Sequence, residues 1–331
     1  LHLPDFNFHL PPERIAQQTL ADRAASRMLV VDRSRRTWED RTFRDFPSLL
    51  APGDCVVIND TRVIPARLFG HREGFDGLVE VLLIRPMGDD PLKWLCLVHP
   101  GKKVRSRERI SFEAGLTAEV IGRSEHGERI VWFHCDGDLL EMLDRVGHVP
   151  LPPYIRRKDT SEDRARYQTV FADRKGSVAA PTAGLHFTPE ILAACPSVAS
   201  ITLHVGLGTF QPLHAEDLDQ VKLHSEWFSI REEEAAKMRV AQRLVCVGTT
   251  TVRTLESAGL RAAQGETDLF IRPGYRFKHT GAMLTNFHLP RSSLFILVCA
   301  FGGRELILNA YHHAISAGYR FYSYGDCMLI V

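Results

Sequence analysis

The sequence predicts a mixed α/β (α+β) domain into which a small antiparallel β-barrel has been inserted. Two observations carry this expectation. Between residues 61 and 149, short alternating runs recur at a spacing of roughly ten residues with glycine and charged turns between them, which suits a small barrel. After the proline-rich PLPP segment at 150–153 the character changes, and apolar strands begin to alternate with helical stretches. The expected division is therefore a discontinuous catalytic domain, 1–60 with 150–331, and an inserted barrel, 61–149.

Taken in order, residues 5–10 read as an irregular arm and Pro11-Pro12 as the entry to a short helix. Residues 27–33 form a strand. A Pro-Gly turn at 52–53 leads into a buried strand ending in Asn59 and Asp60. Six insert strands are expected at 65–70, 78–85, 92–99, 109–112, 116–122 and 129–134, closed by a helix at 139–146. Beyond the boundary, strands at 198–205, 224–230 and 243–250 alternate with helices at 189–194, 232–242 and 251–264. Thr188-Pro189 is a capping pair for the first of these helices.

The chain has 331 residues, 44% of them hydrophobic and 24% charged, as in an ordinary globular protein with a sizeable core. Its formal charge is +1, so contact with nucleic acid must rest on local basic patches. Seven cysteines lie far apart, without a CxxC or Cys/His cluster, which argues against a zinc site, an iron–sulfur cluster or a disulfide framework. The longest apolar run, 294–301, is too short to span a bilayer. A reduced, cytoplasmic enzyme without metal or membrane attachment, acting as a monomer, is the expectation. No secretory signal is read, although a segment preceding Leu1 is allowed for.

Residues 179–210 concentrate the chemistry. Two loops, Pro181-Thr182-Ala183-Gly184 and Gly206-Leu207-Gly208-Thr209, flank a helix and a strand, and each has a histidine within two residues, His186 and His204. Glycines there let backbone N–H groups approach a ligand closely. Thr249 and Thr250 stand at an expected helix N-terminus, which favours an anion, or they simply cap the helix. Arg253 and Glu256, three apart on that helix, can grip a ligand or each other. His224 and Glu226, two apart on an expected strand, form an acid/base pair or a polar solvent face. His288 is a turn or site residue, and Asp326 a ligand contact or turn former. Two basic tracts, Lys102-Lys103-Val-Arg105-Ser-Arg107 and Tyr154 with Arg156-Arg157, have the composition that single-stranded or loop RNA asks for, or are solvated turns.

The blocks PLPPYIR (150–156), YQTVFA (167–172), AAPTAGLHFT (179–188), TLHVGLGTF (202–210), HSEW (224–227), GTTTVRTLES (248–257), TNFHLP (285–290) and YGD (324–326) occur together in this order, with NDTRVIPAR (59–67) before them. In these blocks the chain resembles the S-adenosylmethionine:tRNA ribosyltransferase-isomerases of queuosine biosynthesis, from the Phe8/Leu10/Pro11 arm to the C-terminus. It departs where the family's usual His-x-Met-His run is Val221-Lys222-Leu223-His224, leaving His224 as the candidate, and where Phe75-Asp76-Gly77-Leu78 replaces a Gly-Gly turn. The resemblance implies transfer of the ribosyl part of S-adenosylmethionine to 7-aminomethyl-7-deazaguanine at the tRNA wobble position, with adenine and methionine released. S-adenosylmethionine is then a ribosyl donor and tRNA the partner.

On that reading His204 or His186 transfers the proton, with His224 and Glu226 as the alternative pair. Thr249, Thr250 and Arg253 hold a carboxylate or phosphate, and Asp60 and Asp326 hold ribose hydroxyls or the aminomethyl group. Arg62, Thr182, Gly184, Gly206, Gly208, Thr209, Glu256 and His288 complete the expected substrate site. Lys102, Lys103, Arg105, Arg107, Tyr154, Arg156 and Arg157 are expected to hold the anticodon stem-loop. A methyltransferase and a non-catalytic RNA-binding protein are the rival readings.

Overall fold

Runs of apolar residues with no polar alternation make strands that can only be buried on both faces, and four such runs build the centre of the protein. The computed structural model describes residues 1–124, 127–206, 213 and 217–331. Strands β1 (Arg27–Asp32), β2 (Thr37–Thr42) and β3 (Asp54–Asn59) are followed by a short β4 (Thr61–Val63). Six strands then alternate inward and outward residues: β5 (Arg67–Arg72), β6 (Leu78–Met87), β7 (Asp90–His99), β8 (Arg109–Ser111), β9 (Thr117–Arg123) and β10 (Arg129–His134). They close into a barrel in the order β10-β7-β6-β5-β8-β9, every described pairing antiparallel. Its inward residues, among them Val81, Cys96, Val120, Val131 and Phe133, form a separate core. Helix α1 (Leu139–Val146) lays Leu139, Met142 and Leu143 against that core, capped by the Asp138 carboxylate on the Glu141 N–H.

The return segment contributes α2 (Ser161–Arg166), β11 (Arg174–Ser177), α3 (Pro189–Ala193), β12 (Val198–Leu203), β13 (Glu226–Ile230), α4 (Glu232–Val240), β14 (Arg243–Val247), α5 (Thr249–Ala258), β15 (Ala263–Thr267), β16 (Ala282–Asn286), α6 (Ser293–Gly302), α7 (Arg304–Ser316) and β17 (Cys327–Ile330). Among the described residues, nine strands form one mixed sheet in the order β15-β13-β12-β3-β14-β16-β17-β1-β2, while β4 pairs with β11 apart from it. The central strands β12, β3, β14 and β16 run parallel, and β3, β14, β16 and β17 are almost wholly buried. The N-terminal arm has no regular structure over 7–10, as expected, yet it is packed against the core. Phe6 and Phe8 are buried, and Phe8 packs on Phe295 of α6 at 5.0 Å and Tyr311 of α7 at 5.2 Å. No single helix among the described residues is long and apolar enough to cross a membrane.

Several elements differ from expectation, among them the strand expected at 243–250, which ends at Val247 and gives way to α5. The strand expected from 224 begins at Glu226, where pairing to β15 starts opposite Thr267, and β12 joins from Phe228. The helix expected at 251–264 starts at Thr249 and stops at Ala258, because Gly259 takes a positive φ of 72°. The residues beyond it, 263–267, form the edge strand β15 instead of continuing the helix.

Candidate active site

Strand β12, paired to β3 on one side and β13 on the other, ends at Leu203, and His204 follows directly on its last residue. His204 N–H still donates to the Trp227 carbonyl at 3.0 Å, so the imidazole is held at a fixed place beside β13. Its Nδ1 lies 2.8 Å from Thr61 Oγ1, and its ring stacks on Trp227 at 4.9 Å and 22°. Gly176 lies against the ring with φ 147°, and a Cβ there would come within 2.6 Å of Nε2. Burial pushes the His204 pKa down to about 4, so the imidazole is neutral at neutral pH.

This corner opens on a cleft of about 1170 Å³. One wall carries His204, Gly206, His224, Glu226, Trp227, Arg253 and Glu266. The other belongs to the outer face of the barrel, with Met87, Leu95, Leu97 and Ile130. Glu226 and Arg253 are both buried and form an ion pair. Glu226 Oε1 also accepts the Gly206 N–H at 2.9 Å, and Arg253 Nε donates to the Leu269 carbonyl at 3.1 Å. Arg253 and Glu256 do not grip each other. Glu256 instead accepts the N–H groups of Lys278, His279 and Thr280 at 2.9–3.0 Å and the Thr280 hydroxyl at 2.8 Å. Burial opposes its charge, but these donors outweigh burial and hold the carboxyl below its usual range.

A second, narrow cavity of about 40 Å³ shares Val205 and Leu294 with the cleft. Thr182, Thr249, Thr250, Thr285, Asn286 and His288 line it, so four of the expected substrate residues converge here. Asn59 Nδ2 donates to the Leu203 carbonyl at 3.0 Å and to Thr250 Oγ1 at 3.4 Å, tying β3 to α5. Behind the cavity, His186 is bound through Nδ1 to Ser26 Oγ at 2.8 Å and through Nε2 to Asn286 Oδ1 at 2.9 Å. His288 Nε2 meets Thr285 Oγ1 at 2.8 Å. Burial takes His186 to about 4 and His288 to about 3.

These depressed values give folding a pH dependence of definite sign. An unfolded histidine titrates near 6.5, so unfolding takes up protons, and the stability present above that pH is lost as pH falls towards the folded values. Urea unfolding of His186→Gln between pH 6.5 and 4 is expected to take up about one proton fewer than wild type. A slope unchanged by the substitution would mean that His186 is not held neutral.

The remaining expected residues are dispersed. Asp60 is buried and lines neither cavity. Burial raises its carboxyl, the Thr202 hydroxyl donates to it at 2.5 Å, and Arg231 lies at 4.0 Å. Asp326 accepts the N–H groups of Arg27 at 2.9 Å and Arg320 at 2.8 Å, joining β1 to the last turn. Arg62 is exposed on β4. Gly184 is required by packing, since a Cβ would sit 2.7 Å from the Phe171 ring. Gly208 and Thr209 lie outside the described residues.

Lys102, Lys103, Arg105 and Arg107 are exposed on one barrel loop, anchored from beneath by Arg129, which donates to the Val104 and Gly101 carbonyls. Tyr154 is not the exposed stacking ring its sequence context suggests. It is half-buried against Tyr322 at 3.9 Å, with its hydroxyl bonded to Ser323. Arg156 is exposed, whereas Arg157 makes a two-pronged pair with Asp163 at 2.6 and 2.8 Å. Burial opposes the Asp163 charge, but Arg157 and neighbouring donors bring it to about 2. Trp227 and Glu266 line the cleft and Asn286 the small cavity, while Thr61 and Asn59 hold His204 and Thr250 from behind; the sequence reading names none of the five as a site residue. Thr61, Trp227, Asn59 and Asn286 lie inside the motif blocks, and a polar residue ending a buried strand was the available signal for Asn59 and Asn286.

With this geometry in view, the chain can be set beside known proteins. The family model described as queuosine biosynthesis protein matches residues 3–330. The S-adenosylmethionine:tRNA ribosyltransferase-isomerase of Solibacter usitatus is 58% identical, and that of Symbiobacterium thermophilum 49%, each over 100% of both chains. The crystal structure of S-adenosylmethionine tRNA ribosyltransferase from Thermotoga maritima is 35% identical, covering 99% of this chain and 100% of its own, with a TM-score of 0.54.

Proposed function

This chain belongs to the queuosine biosynthesis protein family, and from that premise we propose that it joins the ribosyl part of S-adenosylmethionine to 7-aminomethyl-7-deazaguanine at the tRNA wobble position. Isomerisation of that group gives epoxyqueuosine in the tRNA, with adenine and methionine released. The observation that carries the reading is the cleft, which gathers a neutral imidazole, a fixed carboxylate–guanidinium pair and an apolar barrel wall in one space. Pockets for single small ligands run to about 1,000 Å³. A cleft of about 1170 Å³ has room for a nucleoside donor and a modified base together.

His204 takes the proton from the carbon next to the sulfonium. In the tautomer whose Nδ1–H donates to Thr61 Oγ1, Nε2 carries the lone pair, and burial keeps the ring neutral and so able to accept a proton. His224 and Glu226 are the alternative pair. His186, bound at both nitrogens behind the small cavity, positions Asn286. Thr249 and Thr250, at the α5 N-terminus and opening on the small cavity, receive the methionine carboxylate. The 102–107 loop and Arg156 meet the anticodon stem-loop through its phosphates.

The chain is read as two units, 1–60 with 150–331 and 61–149, acting as a monomer. All seven cysteines are free, which supports a reducing, cytoplasmic setting.

The test combines purified protein, S-adenosylmethionine and an anticodon stem-loop carrying the aminomethyl base. Adenine and methionine are expected, together with a ribosyl-sized gain in RNA mass. S-adenosylhomocysteine with a methyl-sized gain would make the protein a methyltransferase. RNA binding without turnover would make it a binding protein.

A further inference from the structure

We propose that Trp227 and Glu266 form a subsite for an organic cation on the floor of the cleft. The inference rests on the ribosyl-transfer reading and deepens it by naming the part of a substrate that these two residues recognise.

In the antiparallel β13–β15 pair, Trp227 stands directly opposite Glu266, so the two side chains lie on one face as nearest cross-strand neighbours. Both line the cleft. Trp227 keeps 38% of its surface exposed although His204 stacks on it. An indole of that exposure offers ring surface to a ligand beside the imidazole.

Glu266 differs from its neighbour Glu226. The charge of Glu226 is met by Arg253 and by the Gly206 N–H. Glu266 forms no ion pair among the described residues, and one of its oxygens is oriented by the Ser225 hydroxyl at 2.7 Å. An aromatic face next to a carboxylate is the environment in which sulfonium and ammonium groups are recognised, through the ring quadrupole and direct charge attraction. Of the cations on the same cleft, Arg253 is taken by Glu226, and neither Arg85 nor Lys222 forms an ion pair with Glu266 among the described residues.

Apart from the methionine α-ammonium, which S-adenosylhomocysteine shares, two groups in the reaction have this chemistry, and the subsite is assigned to one of them: the sulfonium of S-adenosylmethionine or the ammonium of the aminomethyl base. Their neutral counterparts separate them. Equilibrium binding is measured for S-adenosylmethionine against S-adenosylhomocysteine, and for stem-loops with an aminomethyl against a hydroxymethyl substituent. Wild type, Glu266→Gln, Trp227→Leu and Trp227→Phe are compared.

Glu266→Gln is expected to lower the preference for the cation roughly tenfold in one of the two pairs, which identifies the group bound. Trp227→Leu is expected to do the same in that pair, and Trp227→Phe, which keeps a ring, much less. Glu266→Gln changes one exposed group and decides the matter if Trp227→Leu fails to fold. Both preferences surviving in Glu266→Gln would overturn the subsite. Wild-type protein that binds both S-adenosylmethionine and the aminomethyl stem-loop without releasing adenine would instead overturn ribosyl transfer, leaving the binding ratios to judge the cation site separately.

Discussion

His204→Gln is expected to lower single-turnover adenine release by about 10²–10⁴-fold, the usual contribution of a positioned general base. Glutamine keeps a polar group near Thr61 but supplies no basic nitrogen at the cleft. A second signature separates this role from a packing role. Because burial holds the imidazole at about 4, the acid limb of the wild-type rate should fall near that pH and not near 6.5. Thr61→Val, which removes the partner of Nδ1, should move that limb, and Thr61→Ser should restore it. Near-normal release by His204→Gln would transfer the role to His224 and Glu226, which share the same wall.

Legibility in the sequence followed the range of the interactions involved. The barrel strands could be read because each alternates inward and outward residues, and the β10 residues 129–134 and the α1 residues 139–146 were placed to the residue. Strand β15 could not be read. Gln264, Gly265 and Glu266 have little strand propensity and are held by pairing to β13, formed far away in sequence. The same limit governs the site. The glycine loop and its histidine announced themselves locally, and Thr249 and Thr250 did so through capping chemistry. Trp227 acquires meaning only when β12 and β15 flank β13, bringing His204 to its ring and Glu266 to its side. The sequence offered Glu256 as the partner of Arg253 because both lie on one helix. Tertiary structure gives Arg253 to Glu226 and gives Glu256 to the 278–280 backbone. Tyr154 shows the converse error, since its position beside two arginines suggested exposure while Tyr322 and Ser323 draw it inward.

Arg253→Ala is expected to destabilise the protein by about 3–5 kcal/mol, because it leaves the buried Glu226 carboxylate without its counter-charge. Glu226→Ala should cost a similar amount by stranding the guanidinium, although the Leu269 and Thr267 carbonyls retain part of that group's hydrogen bonding. The double substitution should cost much less than the sum of the two, since neither charge is then left buried. Urea denaturation of the four proteins, with unchanged dependence on denaturant, measures the coupling. Additive losses would show that the pair does not act as a unit. On the proposed reading the pair also positions the base, because Glu226 Oε1 accepts the Gly206 N–H just beyond His204. Arg253→Lys keeps the charge but not the planar fork that reaches both Glu226 and the Leu269 carbonyl. It is therefore expected to recover much of the stability while leaving adenine release depressed, which separates the charge balance of the core from the alignment of the loop that carries the base.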